Sequence, residues 1–173
     1  MGRFLKITLV VLMFSASTAY ASSEVELLFG PRFDVKNWAN QFTVGMAVGG
    51  EYIKLGFNYS HVSQAGISAN MLKPYLLGEI PFSFKLGQVT EMVIAPTIDF
   101  GPEIGFTSGA KIIDFAQLGF GLKTKFYFTE HFGVAVTPFH MTTSFATYTT
   151  GGTGIVRMTR MTYDLLFSLL LKW

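Results

Sequence analysis

The chain closes on TYDLLFSLLLKW, residues Thr162 to Trp173, an apolar run with two charges set into it. As a helix this stretch would be about 18 Å long, too short to span a bilayer, and Asp164 and Lys172 would not share a face. As a strand it sorts cleanly. Tyr163, Leu165, Phe167, Leu169, Leu171 and Trp173 fall on one face, all large and apolar, while Thr162, Asp164, Leu166, Ser168, Leu170 and Lys172 fall on the other. Ten steps of roughly 3.3 Å, tilted about 40°, rise about 25 Å, the height of the apolar band on a membrane barrel. An aromatic stands at each end of the run.

The beginning of the chain supplies an address. Arg3 and Lys6 precede an apolar run from Ile7 to Phe14, and small residues then close on Ala19-Tyr20-Ala21. That is the layout of a secretory signal peptide with A-x-A cleavage. Residues 1–21 are therefore read as the leader and residues 22–173 as one barrel domain. Cysteine is absent throughout, which removes disulfides, thiolate metal sites and cysteine nucleophiles. Half of the chain is hydrophobic, only 14% is charged, and the mean hydropathy is +0.40. After residue 21 no stretch approaches the 18 to 20 apolar residues of a transmembrane helix. A closed sheet is the other structure that satisfies its backbone within lipid.

The terminal alternation recurs along the chain. Val25 to Val35, Gln41 to Gly49, Tyr52 to His61, Pro74 to Lys85, Met92 to Gly101 and Ala116 to Phe128 each set bulky apolar residues against small or polar ones. Phe132 to Tyr148 has the composition of a strand, but Pro138 and His140 share a parity with Val134 and Val136, so its register stays open and a bulge is expected there. With the last segment this makes eight strands. The short connections at Val48 to Glu51, Lys85 to Glu91 and Thr129 to Phe132 are expected on the periplasmic side. Lys36 to Asn40, Val62 to Asn70, Thr107 to Lys111 and Thr149 to Arg160 are expected as external loops.

Alternation alone also fits a soluble barrel with its apolar face inward. Three features favour the reverse. Gly45, Ala47, Gly49, Gly56, Gly101, Gly119 and Gly121 crowd the polar parity, as a narrow cylinder requires. The other parity is uniformly bulky, and so few charges on an outer surface would leave it insoluble. The expected fold is all-β: an eight-stranded, antiparallel, up-and-down transmembrane β-barrel.

The leader, the eight alternating segments, TIDFGPEIGF (Thr97 to Phe106), FYFTEHFGVAV (Phe126 to Val136) and the terminal aromatic resemble the small outer-membrane β-barrel family, the OmpA/OmpX-like and porin-like eight-stranded group. The resemblance covers residues 22–173. It implies a cell outer-membrane location and outer-membrane lipid and lipopolysaccharide as surroundings. It also implies that Tyr163, Phe167, Leu169, Leu171 and Trp173 form the signal read by the barrel-assembly machinery, with Trp173 where phenylalanine is more usual. Family likeness alone does not give an activity, because a fold hosts many functions.

Charges on the lumen parity balance: Glu26, Asp34, Glu79, Asp99, Glu103 and Asp164 against Arg32, Lys54, Lys85, Lys123, Lys125 and Lys172. Inside a narrow barrel they must pair. An eight-stranded lumen is just wide enough to be filled by side chains, so a plug of ion pairs is expected, with a narrow channel as the alternative. Lys36, Lys73, Lys111, Arg157 and Arg160 form an expected basic outer rim facing lipopolysaccharide phosphates, whereas Glu51, Glu91 and Glu130 mark the periplasmic turns. Trp38 and Trp173 are read as interfacial anchors. His61-Val62-Ser63 resembles the His-x-Ser motif of outer-membrane lipid A 3-O-deacylases, where histidine activates a serine. It departs from them in having Gln64 for asparagine, in its early place in the chain, and in the lumen parity of Glu79, the nearest downstream acid. The expected function is non-enzymatic, structural or surface-interacting through the loops, in a monomer without cofactor, metal or nucleic-acid partner.

Overall fold

A computed structural model describes residues 23–35, 40–64, 67–87, 90–107, 110–150 and 161–173; at 40, 62–64, 67, 107, 110–115 and 145–150 it describes the backbone only. The expected leader, Trp38 and the longest expected loop lie outside these residues.

Nine strands form one antiparallel sheet: β1 (Glu24–Asp34), β2 (Asn40–Gly49), β3 (Ile53–Gln64), β4 (Ile67–Glu79), β5 (Phe82–Lys85), β6 (Glu91–Thr107), β7 (Ala110–Tyr127), β8 (Phe132–Thr150) and β9 (Met161–Lys172). Each pairs with its sequence neighbour except that β4 and β5 both pair with β6, and β1 pairs with β9, so the sheet closes on itself. β4 and β5 are two pieces of one stave. Glu79 faces Thr97 and Phe82 faces Ile94 in unbroken register along β6. The Ile80 amide still donates to the Pro96 carbonyl at 3.1 Å, but Pro81 has no N–H to continue the ladder. The barrel therefore has eight staves.

Closure is sealed at one end by the two chain ends, where the Ser23 and Trp173 amides each donate to the other's carbonyl at 2.9 Å. This end also carries the three short turns and is called the terminal end; the opposite one is the loop end. Paired residues traced once around the barrel from Ile94 run through Thr124, Val136, Phe167, Phe29, Val44, Tyr59 and Leu72 and return to β6 at Ile104, ten residues further along. A shear of ten on eight staves tilts the strands by about 40°, within the usual range for closed barrels.

Side chains sort as the alternation requires. Phe29, Phe57, Leu76, Phe100, Phe120 and Leu171 point outward and are 43–55% exposed, while the inward parity holds most of the described ionised side chains at 8% or less. Apolar outside and charged inside is the arrangement of a transmembrane β-barrel.

Two boundaries differ from the expectation. Val62 to Asn70 and Thr107 to Lys111 are mostly strand, since β3 runs to Gln64, β4 starts at Ile67, and β6 and β7 extend to Thr107 and Ala110. The ladder continues there after the outward face has turned polar at His61, Ser68 and Asn70, so hydropathy alternation ends before the hydrogen bonding does. The third feature is the register of β8. Thr137 faces Leu166 and His140 faces Asp164, so Pro138 and Phe139 together oppose one residue of β9. This bulge flips the phase, and both of its residues are exposed. The Tyr163 hydroxyl donates to the Pro138 carbonyl left at the kink.

Leu76 lies mid-way along the outward apolar run of β4, whereas Phe84 lies on β5, beyond the closed part of the wall. Leu76→Arg should therefore lower reversible unfolding stability in lipid vesicles by about 2–4 kcal/mol, and Phe84→Arg by less than about 1 kcal/mol. Urea titration of the two variants in the same vesicles checks the contrast.

Candidate functional site

The lumen contains two ion clusters. Nearer the terminal end, β1 contributes Glu24 and Glu26, β4 Glu79, β3 Lys54, and β7 Lys123 and Lys125, so three carboxylates meet three ammonium groups. Lys123 Nζ lies 2.7 Å from both Glu26 Oε2 and Glu79 Oε1. Lys125 Nζ lies 2.5 Å from Glu79 Oε2 and 3.0 Å from Glu24 Oε1. Lys54 pairs with Glu24 and stands 3.2 Å from Glu79 Oε2. Ser168 donates to Glu26 at 2.7 Å, and the Tyr127 hydroxyl donates to Glu24. Strand alternation delivers the set: residues 24 and 26, or 123 and 125, are two apart and so point the same way.

The second cluster lies toward the loop end. Arg32 Nε donates to Asp164 Oδ1 at 2.7 Å, and Arg32 Nη1 donates to Glu103 Oε2 at 2.9 Å. Gln117 Nε2 adds a bond to Glu103 at 3.1 Å. Lys73 pairs with Asp99. His140 spans the gap, with Nε2 2.5 Å from Asp99 Oδ2 and Nδ1 2.9 Å from Asp164 Oδ2. A neutral imidazole has only one N–H, so a ring that donates to both carboxylates is the imidazolium. In that state the ion-paired side chains of this cluster also number three of each sign. Gly119 makes the room, since a Cβ there would collide with the Asp99 carboxylate and the His140 ring.

Between the clusters lies a different layer. Leu28 on β1, Leu77 and Tyr75 on β4, and Leu166 on β9 point inward and are buried. With Asn58, Thr97 and Thr137 they line a cavity of about 30 Å³ that also touches Lys73, Asp99 and His140 above and Glu26 and Lys123 below. Tyr75 reaches across because residue 56 is glycine; a Cβ there would sit against its ring. At the terminal end the lumen finishes on a buried apolar group of Val93, Tyr127, Ala135 and Leu170.

Of the residues expected in the lumen, Arg32, Lys54, Glu79, Asp99, Glu103, Lys123, Lys125 and Asp164 lie inside and are at most 4% exposed. Asp34 is buried nearer the loop end. Lys85 is a correction. It sits on β5, which is exposed along its length because β3 stops at Ile53 and leaves no wall beside it. Lys172 is half-buried at the mouth, its ammonium 5.2 Å from the Tyr127 ring centroid.

Lys73 is the second correction. Placed on the basic rim from its position before Pro74, it is 2% exposed inside β4, because β4 begins at Ile67 and odd-numbered residues of that strand face inward. Of the other rim residues, Lys111 is on β7 with its side chain undescribed, and Lys36, Arg157 and Arg160 lie outside the described residues. Tyr163, Phe167, Leu169 and Leu171 line the outward face of β9, with exposed Trp173 just past its end; Phe167 stacks on Phe29 at 6.1 Å and Tyr163 on Phe33 at 6.2 Å.

Glu24, Lys73 and His140 were missed as lumen residues. His140 had a signal: a proline inside a strand implies a bulge, and beyond it the inward parity changes. In the His-x-Ser stretch, His61 is outward and exposed, and its Nδ1 is 2.8 Å from Asn70 Oδ1, which also accepts the Tyr59 hydroxyl at 2.7 Å. The Ser63 side chain is outside the description. The trio marks where the outward face turns polar.

No known family's sequence profile matches the chain, and no curated protein matches it. Among solved structures, Neisserial surface protein A (NspA) aligns over 88% of this chain and 96% of its own length at 8% identity, with a TM-score of 0.49. Ail, the attachment invasion locus protein of Yersinia pestis, aligns over 87% of this chain and 98% of its own, also at 8% identity, with a TM-score of 0.34. No residue's role passes from either protein to this one.

Glu79 faces three lysines, so Glu79→Gln leaves a buried positive charge uncompensated and should cost about 3–5 kcal/mol. Adding Lys123→Met removes the excess charge and should recover most of that loss. A double-mutant cycle of urea unfolding in vesicles measures the coupling.

Proposed function

We propose that this chain is an exported outer-membrane protein whose barrel serves as a non-conducting anchor and whose external loops do its work. The observation that carries this reading is the filled lumen. Two buried ion clusters, a leucine layer between them and an apolar group at the terminal end fill the lumen of the described residues against a hydrated ion. The buried charges are held in networks spanning most of the staves, so moving any one of them uncovers another.

Residues 1–21 act as the leader and are removed, and the loop end faces outward. Lys36, Lys111, Arg157 and Arg160 are the basic groups available there for lipopolysaccharide phosphates, which arginine can meet bidentately. Tyr163, Phe167, Leu169, Leu171 and Trp173 present the apolar outward edge that the barrel-assembly machinery reads. The protein works as a monomer and carries out no chemistry. The Tyr59, His61 and Asn70 trio is an interfacial feature in which the aromatic and the polar groups meet headgroups.

Purified, reconstituted protein should give no discrete conductance steps in planar bilayers. Single-channel steps, with a selectivity altered by Lys123→Gln, would establish the channel reading instead. Lipid A from cells expressing the protein should keep its mass; an ester loss abolished by Ser63→Ala would establish the deacylase reading. Neutralising Arg157 and Arg160 together should weaken binding of the folded protein to lipopolysaccharide by several-fold at low salt and by less at high salt.

A further inference from the structure

We infer that the lumen is a blind half-channel, occupied by ordered water from the loop end down to the leucine layer and dry below it. This rests on the filled-lumen reading and divides that lumen into a wet half and a sealed half.

The first observation is where buried polar atoms lack protein partners. Gln41 Oε1, Thr142 Oγ1 and Thr162 Oγ1 are buried without one, and Asn58 Oδ1 is a fourth. Their residues are all at least nine-tenths buried. Gln41 faces Arg32 across the β1–β2 ladder, and Thr142 faces Thr162 across the β8–β9 ladder. All three therefore sit at the level of the upper ion cluster or above it. Asn58 lies lower, between Lys54 and Ser60 on β3, and lines the cavity beside Leu28, Leu77 and Leu166. Among the described residues, no buried side-chain polar atom below that cavity lacks a partner. In the lower cluster Ser168 and Tyr127 both donate to glutamates.

The second observation is the cavity itself. At about 30 Å³ it has room for about two waters, since one needs roughly 10–15 Å³ and two to four polar partners. Asn58, Thr97, Thr137, Lys73 and Lys123 supply those partners. Charges of both signs line the cavity, each already engaged in ion pairs, so a neutral dipolar ligand fits it better than an ion. Below, the three-by-three ion cluster and the apolar group of Val93, Tyr127, Ala135 and Leu170 offer water, among the described residues, no buried side-chain polar atom with an unmet hydrogen bond. The water column ends at the leucine layer, and the terminal end seals it.

The test is a water-to-protein NOE experiment on methyl- and amide-labelled protein refolded in nanodiscs. Cross-peaks at the water frequency are expected at the Asn58 side-chain amide and at the Thr142 and Thr162 methyls. None is expected at the Ala135 and Leu170 methyls. Asn58→Leu, which fills the cavity, should abolish contact at the Leu28 and Leu166 methyls while leaving that at Thr162. Silence at every lumen position would overturn the half-channel and leave the plug standing. Cross-peaks at Ala135 and Leu170 as well would overturn both, because water would then pass through.

Discussion

Closing eight staves with a shear of ten makes a cylinder so narrow that a charge on the inward parity has no bulk water to retreat to. Every other feature answers that constraint. An isolated buried charge costs several kcal/mol, so the lumen is organised as balanced sets in which most ions meet two or three partners. Lys123 is held by Glu26 and Glu79, Arg32 by Asp164 and Glu103, and His140 by Asp99 and Asp164. Because the partners come from different strands, the ion pairs also cross-brace the barrel. Glu79 alone links β4 to β3 and β7.

Outside, the logic is reversed. Water has no claim on the outward face, so phenylalanine and leucine dominate there, and the wall's only polar needs are those the backbone ladder meets itself. The seam between the first and last strands receives extra support from stacked Phe29 and Phe167 and from Phe33 and Tyr163. Glycines on the inner face set the clearance: Gly56 admits the Tyr75 ring, and Gly119 admits the Asp99 and His140 pair. Side-chain size and charge thus solve one packing problem from two sides.

Much of this was legible from alternation because a transmembrane strand repeats every two residues with little exception. The faces of β1, β6 and β9, and the lumen side of β7, follow directly from the sequence. What escaped had a local cause. Glu24 fell just before the assigned start of β1. Lys73 reads as a rim residue because Asn70 and Ser68 make the upper half of β4 polar on its outward face, hiding a ladder that persists. Lys85 has the right parity but sits where the neighbouring stave has ended. For His140, a two-residue bulge at Pro138 and Phe139 changes the phase, and counting parity through a proline gives the wrong side.

The sidedness of the wall can be read at two adjacent residues of one strand. In this cysteine-free chain, a nitroxide placed at Leu76→Cys or at Leu77→Cys reports lipid or lumen by power saturation in vesicles. The label at 76 should be relaxed strongly by oxygen and weakly by a water-soluble nickel chelate, and the label at 77 should be protected from both. Equal oxygen access at the two sites, or its reversal between them, would mean the apolar parity does not face lipid.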